Sequence, residues 1–423
     1  MLSISRLWKT PDVRRSILFV LFVLVIFRLA AHIPVPGIDA SALSNLFSGN
    51  QFFGLLNIFS GGTLENFSIV ALGVAPYITA SIIFQLLGMI VPKFEEMQKE
   101  EAGRQRLNQW TRFLTVPLAV LQGFGILAIL EQQVATKDLF PVLDPWTKFV
   151  AILSLVAGTV FLMWLGELIS EKHVGNGISI LIFAGIIAGL PTFLGQSLSI
   201  VDSSQLIAIV LFAILILVTI VAVVVMNEAQ RNIAVQYARQ VRGSRLAGAV
   251  SSHIPLRLNM GGVIPIIFAI SIILIPRVFA QFFLQARSDF LRLAAEKTLI
   301  IFENQAFYGI AYFLLVFVFA YFYTSVVFHP DQIAENLQKQ GGFIPGIRPG
   351  RNTADYLGWV ANRLLFAGAS FLAIIAVMPL LVQQATGNAS LVIGGTSLLI
   401  VVSVAIETVK QVEAKLTMHE YDL

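Results

Sequence analysis

The side chains that could do chemistry in this chain are sparse and poorly spaced for catalysis. Its five histidines, His32, His173, His253, His329 and His419, fall in separate loops or ends, with no pair at metal-ligand spacing. Cysteine is absent, which excludes disulfides, thiolate nucleophiles and cysteine metal sites. No His-Glu zinc motif, paired aspartates or Ser-His arrangement occurs within an apolar stretch, so a membrane-embedded protease is disfavoured. There is no GxxxxGK(S/T) phosphate loop, so energy for any work must come from a partner or an ion gradient. No catalytic residue, metal or cofactor is expected.

Two other kinds of side chain remain. Thr79, Ser81 and Gln85 are uncharged polar residues inside an apolar stretch, and Asn259 stands at the start of another. Ser81 and Gln85, four apart, share a helix face. By themselves such residues read as ordinary interhelical hydrogen bonds, worth about 0.6 kcal/mol on average. The second kind is arginine at tight, exposed turns: Arg242 and Arg245 flank Gly243 and Ser244, and Arg348 sits inside GIRPG. Charge near helix ends would satisfy a topological bias alone. Arginine so far from them suits an acidic or phosphate-rich docking partner, protein or ribosomal RNA.

The elements that position these residues are membrane spans. The chain of 423 residues is 57% hydrophobic and 12% charged, with mean hydropathy +0.82, and its apolar runs repeatedly exceed the length a bilayer core requires. Ten spans are predicted, near 17–33, 69–91, 113–130, 149–165, 178–194, 206–226, 263–283, 307–328, 364–382 and 391–406. An even number puts both termini on one side. Twenty basic residues fall on the side of the termini and six on the other, which places both termini in the cytoplasm. The start, MLSISRLWKTPDVRRS, reads as a basic amphipathic segment on the cytoplasmic face, not a removable signal peptide. Arg28, Glu131, Glu167, Arg363 and Glu407 all lie near span ends. The midplane charge that an ion-coupled transporter keeps is missing.

Three connections carry more pattern than a connector needs. In 227–260, apolar alternation at Ile233, Val235 and Tyr237, followed by the Gly243-Ser244 turn, predicts a β-hairpin with a basic tip. In 329–356, a short helix, a Gly-Gly break, the GIRPG turn and a new helix capped near Asn352 or Thr353 are expected. The third, NIFSGGTLENF over 57–67, is too polar and glycine-broken to face lipid, so it is expected to fold back into a cavity inside the protein. It leads straight into the predicted spanning helix 69–91.

Five stretches in this order resemble the SecY family, the channel subunits of bacterial protein translocases: FSGGTLENFSIVALGVAPYITASIIFQLL, VGNGISILIFAGIIAGLP, HIPLRLNMGGVIPIIFAISIILIP, FIPGIRPG with TADYL, and IGGTSLLIVVSVAIE. The resemblance implies an all-α integral membrane fold of ten transmembrane helices in two inverted, pseudo-symmetric halves, 1–200 and 201–423, around a central pore. It implies a channel that moves unfolded secretory polypeptides across the bacterial inner membrane and releases signal sequences and transmembrane segments into lipid through a lateral gate.

Residue by residue, it assigns a plug to Asn57, Phe59, Ser60, Gly61, Gly62, Thr63, Leu64, Glu65, Asn66 and Phe67. It assigns a pore ring to Val74, Ile78, Ile178, Ile182, Ile267 and Ile400, where Val74 replaces the commoner isoleucine. Thr79, Gln85 and Asn259 match a polar cluster at the gate between the second and seventh spans. Arg242, Arg245 and Arg348 match sites that dock the SecA motor or the ribosome. The implied partners are the SecE and SecG subunits, SecA, the ribosome, secretory preproteins with their signal sequences, membrane lipid, SecDF and YidC. By spacing alone the ring residues read as packing or lipid-facing isoleucines, and the resemblance is what singles them out. Val74 and Ile78, like Ile178 and Ile182, are four apart and face one way. Stiff β-branched side chains meeting from four helices would form an apolar collar that closes to water and ions by dewetting.

Overall fold

Long runs of Leu, Ile, Val and Phe offer the backbone no partner but itself, and in lipid that favours helices. The computed structural model describes residues 10–36, 60, 63–64, 67–135, 144–199, 206–237, 241–242, 245–246, 251–284, 288–386 and 390–421. Among these residues seven helices come first: α1 (Pro11–Ala30), α2 (Ala75–Ile90), α3 (Pro92–Lys99), α4 (Glu101–Ala135), α5 (Pro145–Ser170), α6 (Gly177–Ser199) and α7 (Leu206–Glu228). Four strands follow: β1 (Gln230–Tyr237), β2 (Val241–Arg242), β3 (Arg245–Leu246) and β4 (Ser251–Arg257). Then come α8 (Ile264–Phe283), α9 (Asp289–Glu303), α10 (Gln305–Val327), α11 (Pro330–Lys339), β5 (Gly342–Phe343), α12 (Arg351–Thr386) and α13 (Ser390–Tyr421). Proline opens α1, α2, α3, α5, α8 and α11, where its missing N–H is not needed.

Each predicted apolar stretch falls on one helix, with one correction. The second was expected to be helical over 69–91, but α2 begins only at Ala75. Residues 69–74 form turns, closed by Ala71 N–H to the Ser68 carbonyl and Gly73 N–H to the Val70 carbonyl. Gly73 has φ of +59°, a left-handed conformation that glycine adopts without strain, and Pro76 then restarts the chain as a helix. The remaining 16 residues cover about 24 Å, and the chain bends by 108° between α2 and α3. Four described helical stretches, Glu101–Ala128, Pro145–Ser170, Gln305–Lys339 and Arg351–Met378, are long and apolar enough to cross a membrane, and the bent pair makes a fifth.

The hairpin in 227–260 is present: β1 pairs antiparallel with β4, Ile233 opposite Ile254, and β2 with β3, Arg242 opposite Arg245. A third strand was not anticipated. β5 joins the other edge of β1, with Gln236 opposite Phe343, so two connections far apart in sequence build one sheet of order β4-β1-β5. Ile233, Val235 and Leu256 bury its inner face against Leu337, Ile344, Leu357 and Val360, a second core apart from the bundle. The helix after GIRPG starts at Arg351, not at a cap on Asn352 or Thr353. Gly350, at φ +95°, accepts the first helical bonds from Thr353 and Ala354, while the Thr353 hydroxyl turns back to donate to the Arg348 carbonyl at 2.9 Å.

The bundle has a defined polarity. Lys415 Nζ, late in α13, donates to Ser16 Oγ in α1 at 2.8 Å and to the Lys172 carbonyl after α5 at 2.7 Å. Lys410 pairs with Glu228 at 2.8 Å, immediately before β1. The start of α1, the end of α13 and the sheet therefore share one end of the molecule. α5 packs against the 69–74 turns so closely that a Cβ on Gly158 would strike the Ile69 carbonyl. Gly158→Val should lower the thermal midpoint in detergent by the equivalent of about 1–3 kcal/mol, the usual cost of overpacking. Gly189→Ala, with nothing within 4 Å of the added carbon, should not. Equal midpoints for the two variants would disprove the close approach.

Candidate functional site

The described part of the polar segment 57–67 lies inside the protein. Ser60, Thr63, Leu64 and Phe67 are all buried, whereas Asn57, Phe59, Gly61, Gly62, Glu65 and Asn66 lie outside the described residues. Burial of so polar a stretch requires internal partners, and they are present. The Thr63 hydroxyl sits 2.8 Å from the carbonyls of both Ser60 and Val70. Ser60 Oγ accepts the Leu64 N–H at 3.2 Å, and Ser68 Oγ donates to the Thr63 carbonyl at 3.2 Å. The chain after α1 secures the segment's far side: Val35 N–H donates to the Phe67 carbonyl at 3.0 Å and Ile69 N–H to the Ile33 carbonyl at 2.9 Å. Phe67 itself adopts φ of +40°, a conformation uncommon for a bulky residue.

Directly beyond this knot come Val74 and Ile78, one helical turn apart, Ile78 N–H donating to the Val74 carbonyl at 3.0 Å. Val74, Ile78, Ile182, Ile267 and Ile400 are buried in one apolar core, and Ile178 packs against it half-buried. Asn176 orients the α6 pair, because its Oδ1 accepts the Ser179 N–H at 3.2 Å and starts the helix there. None of the six faces outward. On the same helices Ile90 is 75% exposed and Phe279 53%, so outward positions exist and differ from these.

The polar residues matched to a gate do not form one cluster. Thr79 Oγ1 donates to its own helix at the Ala75 carbonyl, and Gln85 Nε2 donates to Ser81 Oγ, both at 3.0 Å. Asn259 instead donates to Asn227 Oδ1 at 2.8 Å, and Asn227 Nδ2 donates to Ser403 Oγ at 3.2 Å. A second Asn259 contact, 3.2 Å to the Gly262 carbonyl, fixes the start of α8. The α2 and α8 helices do touch, but among the described residues no hydrogen bond joins Thr79 or Gln85 to Asn259. Asn227 and Ser403 are the residues that sequence reasoning missed. The available signal was a lone amide closing the otherwise apolar α7. Gln85 Oε1 is buried without a partner, at the wall of a cleft of about 800 Å³ between α2, α3 and α4 and the end of α10. Lys99, Arg104 and His329 also line this cleft. Lys99 binds Glu95 at 2.7 Å and holds its carboxyl below the usual range.

Of the arginines that the resemblance matches to docking sites, Arg348 is exposed in a turn between Gly346 (φ +83°) and Gly350. For Arg242 and Arg245 the backbone pairing described above is what the structure provides.

A helical bundle whose buried apolar core takes in Val74, Ile78, Ile182, Ile267 and Ile400, with buried polar residues of an irregular segment beside it, is that of a multi-pass membrane protein. The SecY family model matches residues 68–409. A relative from Halalkalibacterium halodurans, protein translocase subunit SecY, is 44% identical over 99% of this chain and 98% of its own length. Among solved structures, one described as "The structure of a protein conducting channel" superimposes with a TM-score of 0.64 at 19% identity, covering 94% of this chain and 91% of its own. Another, Sec61 in the canine ribosome-channel complex from the endoplasmic reticulum, gives 0.61 at 19% identity with the same coverage. The chain belongs to the SecY family.

The Asn259–Asn227–Ser403 chain ties α8 to α7 and α13. In a double-mutant cycle, Asn227→Ala and Asn259→Ala should couple by about 0.6 kcal/mol, up to roughly 1.7, read from detergent unfolding. Strictly additive losses would show that the two amides act independently.

Proposed function

We propose that this chain is the channel-forming subunit of a protein translocase, threading unfolded secretory polypeptides through the collar of Val74, Ile78, Ile178, Ile182, Ile267 and Ile400. It is a protein-conducting channel, not an enzyme. The observation that carries the residue assignment is the burial of all six side chains in or against one core, beside a buried polar segment that lipid could not accommodate. A collar of β-branched side chains grips a passing chain without hydrogen bonds, so passage is indifferent to sequence. When no chain is present, it closes by dewetting. The 57–67 segment serves as the plug.

Ten crossings in two inverted halves, 1–200 and 201–423, place both termini and the sheet in the bacterial cytoplasm, on the side richer in basic residues. The contacts of Lys415 and Lys410 support that common side. The gate lies between α2 and α8. A signal sequence entering it equilibrates with lipid, each Leu or Ile contributing about −0.3 to −0.6 kcal/mol and a central charge costing about 2.5–3.5. Thr79 and Gln85 line one side and Asn259 the other, and the break between their hydrogen-bond networks is where the two halves part. Arg242, Arg245 and Arg348 offer positive charge to SecA or the ribosome, while SecE and SecG complete the membrane complex.

Photo-crosslinking probes replacing Ile78 and Ile400 should react with a stalled secretory chain, whereas a probe at exposed Ile90 should not. Comparable yields at all three positions would refute the pore assignment. Separately, Arg348→Glu should abolish motor-driven secretion while the protein remains folded in the membrane, as judged by its unfolding midpoint. Normal secretion by that variant would show that docking does not depend on this turn.

A further inference from the structure

Sequence patterning left the connection between α8 and α10 as a plain loop, yet it contains the 15-residue helix α9. Only one side of α9 is covered. Ala295 is buried, and Leu299 and Phe302 are half-buried, where the helix packs on α8 and α10. Phe290 (79% exposed), Leu293, Ile300 and Ile301 are uncovered, and at 100° per residue they fall within an arc of about 100°. A separate strip carries Arg292 and Glu296. Arg292 pairs with Asp289 at 3.6 Å and with Glu296 at 3.7 Å, which partly neutralises the strip. Lys297 lies in the apolar arc, where its long stem can lie on lipid with the ammonium raised to the headgroups.

Position identifies the occupant. α8 leaves the sheet at β4 and α10 returns toward α11 and β5, so α9 lies at the end of the bundle away from the sheet. Its last turn meets α10 through an edge-on contact of Phe302 with Phe307, ring centroids 5.4 Å apart. Phe307 begins the exposed apolar stripe of Ile310, Leu314 and Val318 along α10, which faces lipid in a membrane-spanning bundle. The uncovered face of α9 continues that stripe around the corner. At about 22 Å long and bearing four charged residues over 289–297, α9 is too short and too polar to cross the bilayer.

We propose that α9 is an interfacial helix, lying flat at the headgroup–acyl boundary of the leaflet away from the sheet, with Phe290, Leu293, Ile300 and Ile301 sunk into lipid. It anchors the far end of α8 to the membrane surface. This placement requires only that the bundle span the bilayer, and it holds whichever side the termini occupy.

The absence of cysteine makes the test direct. Single-cysteine variants Phe290→Cys, Ile300→Cys, Arg292→Cys and Glu296→Cys of the full chain, with any subunits that co-purify, are labelled with an environment-sensitive fluorophore. They are then reconstituted in phosphatidylcholine vesicles. Quenching by spin-labelled lipid should be about threefold stronger at positions 290 and 300 than at 292 and 296, as an interfacial helix requires, and quenching by iodide present on both sides should show the opposite order. Strong iodide quenching at all four positions would overturn the proposal in favour of a water-exposed helix. Protection of 290 and 300 from both quenchers would overturn it in favour of a face covered by protein.

Discussion

A backbone placed in hydrocarbon must find all its hydrogen-bond partners within the protein, and the rest of this structure depends on that constraint. It makes helices of the apolar runs. It also determines what can become of a stretch that is not helical. The turns around Thr63 and from Phe67 to Val74 break the ladder, and among the described residues local partners stand in for it: the Thr63 and Ser68 hydroxyls, the Ser60 side chain, and the strand-like contact between Pro34 and Ser68. An irregular segment with such partners can sit inside a bundle, where a bare loop could not.

The same constraint explains where polar side chains lie. Asn227, Asn259 and Ser403 bond to one another across α7, α13 and the lead-in to α8, and Thr79 and Gln85 donate to groups within α2. The outcome is two polar groups, one on each side of the contact between α2 and α8. At the gate proposed above, the two sides would separate without breaking a hydrogen bond between these named residues. Ile78 and Ile267 both belong to the buried apolar core, so in the proposed gate resistance to opening would come from apolar packing, which suits a seam that must open for an apolar signal.

Much of the fold was legible from periodicity and punctuation. The apolar stretches fell on helices, the second only from Ala75 onward, and the alternation at Ile233 and Val235 became a strand. What could not be read was long-range pairing. β5 has only two residues and no pattern of its own, and it becomes a strand because β1 presents an open edge. α9 escaped for a different reason: its apolar residues spread around most of the helix, and amphipathicity appears only once Ala295, Leu299 and Phe302 are known to be covered. The start of α2 was misplaced because hydropathy does not distinguish an apolar turn from an apolar helix. Gly73 and Pro76 were the available cues.

Composition and order of residues determined by themselves that this chain lives in a membrane and which family motifs it carries. These are properties of local chemistry and of matching along the chain. Only the tertiary structure decided that Val74, Ile78, Ile178, Ile182, Ile267 and Ile400 turn away from lipid, and that Asn259 bonds to Asn227 instead of reaching across to α2. An isoleucine reads the same in sequence whether it faces a bilayer or a core, and an amide the same whichever helix it meets. The difference lies in which neighbours the packed helices bring within a few ångströms.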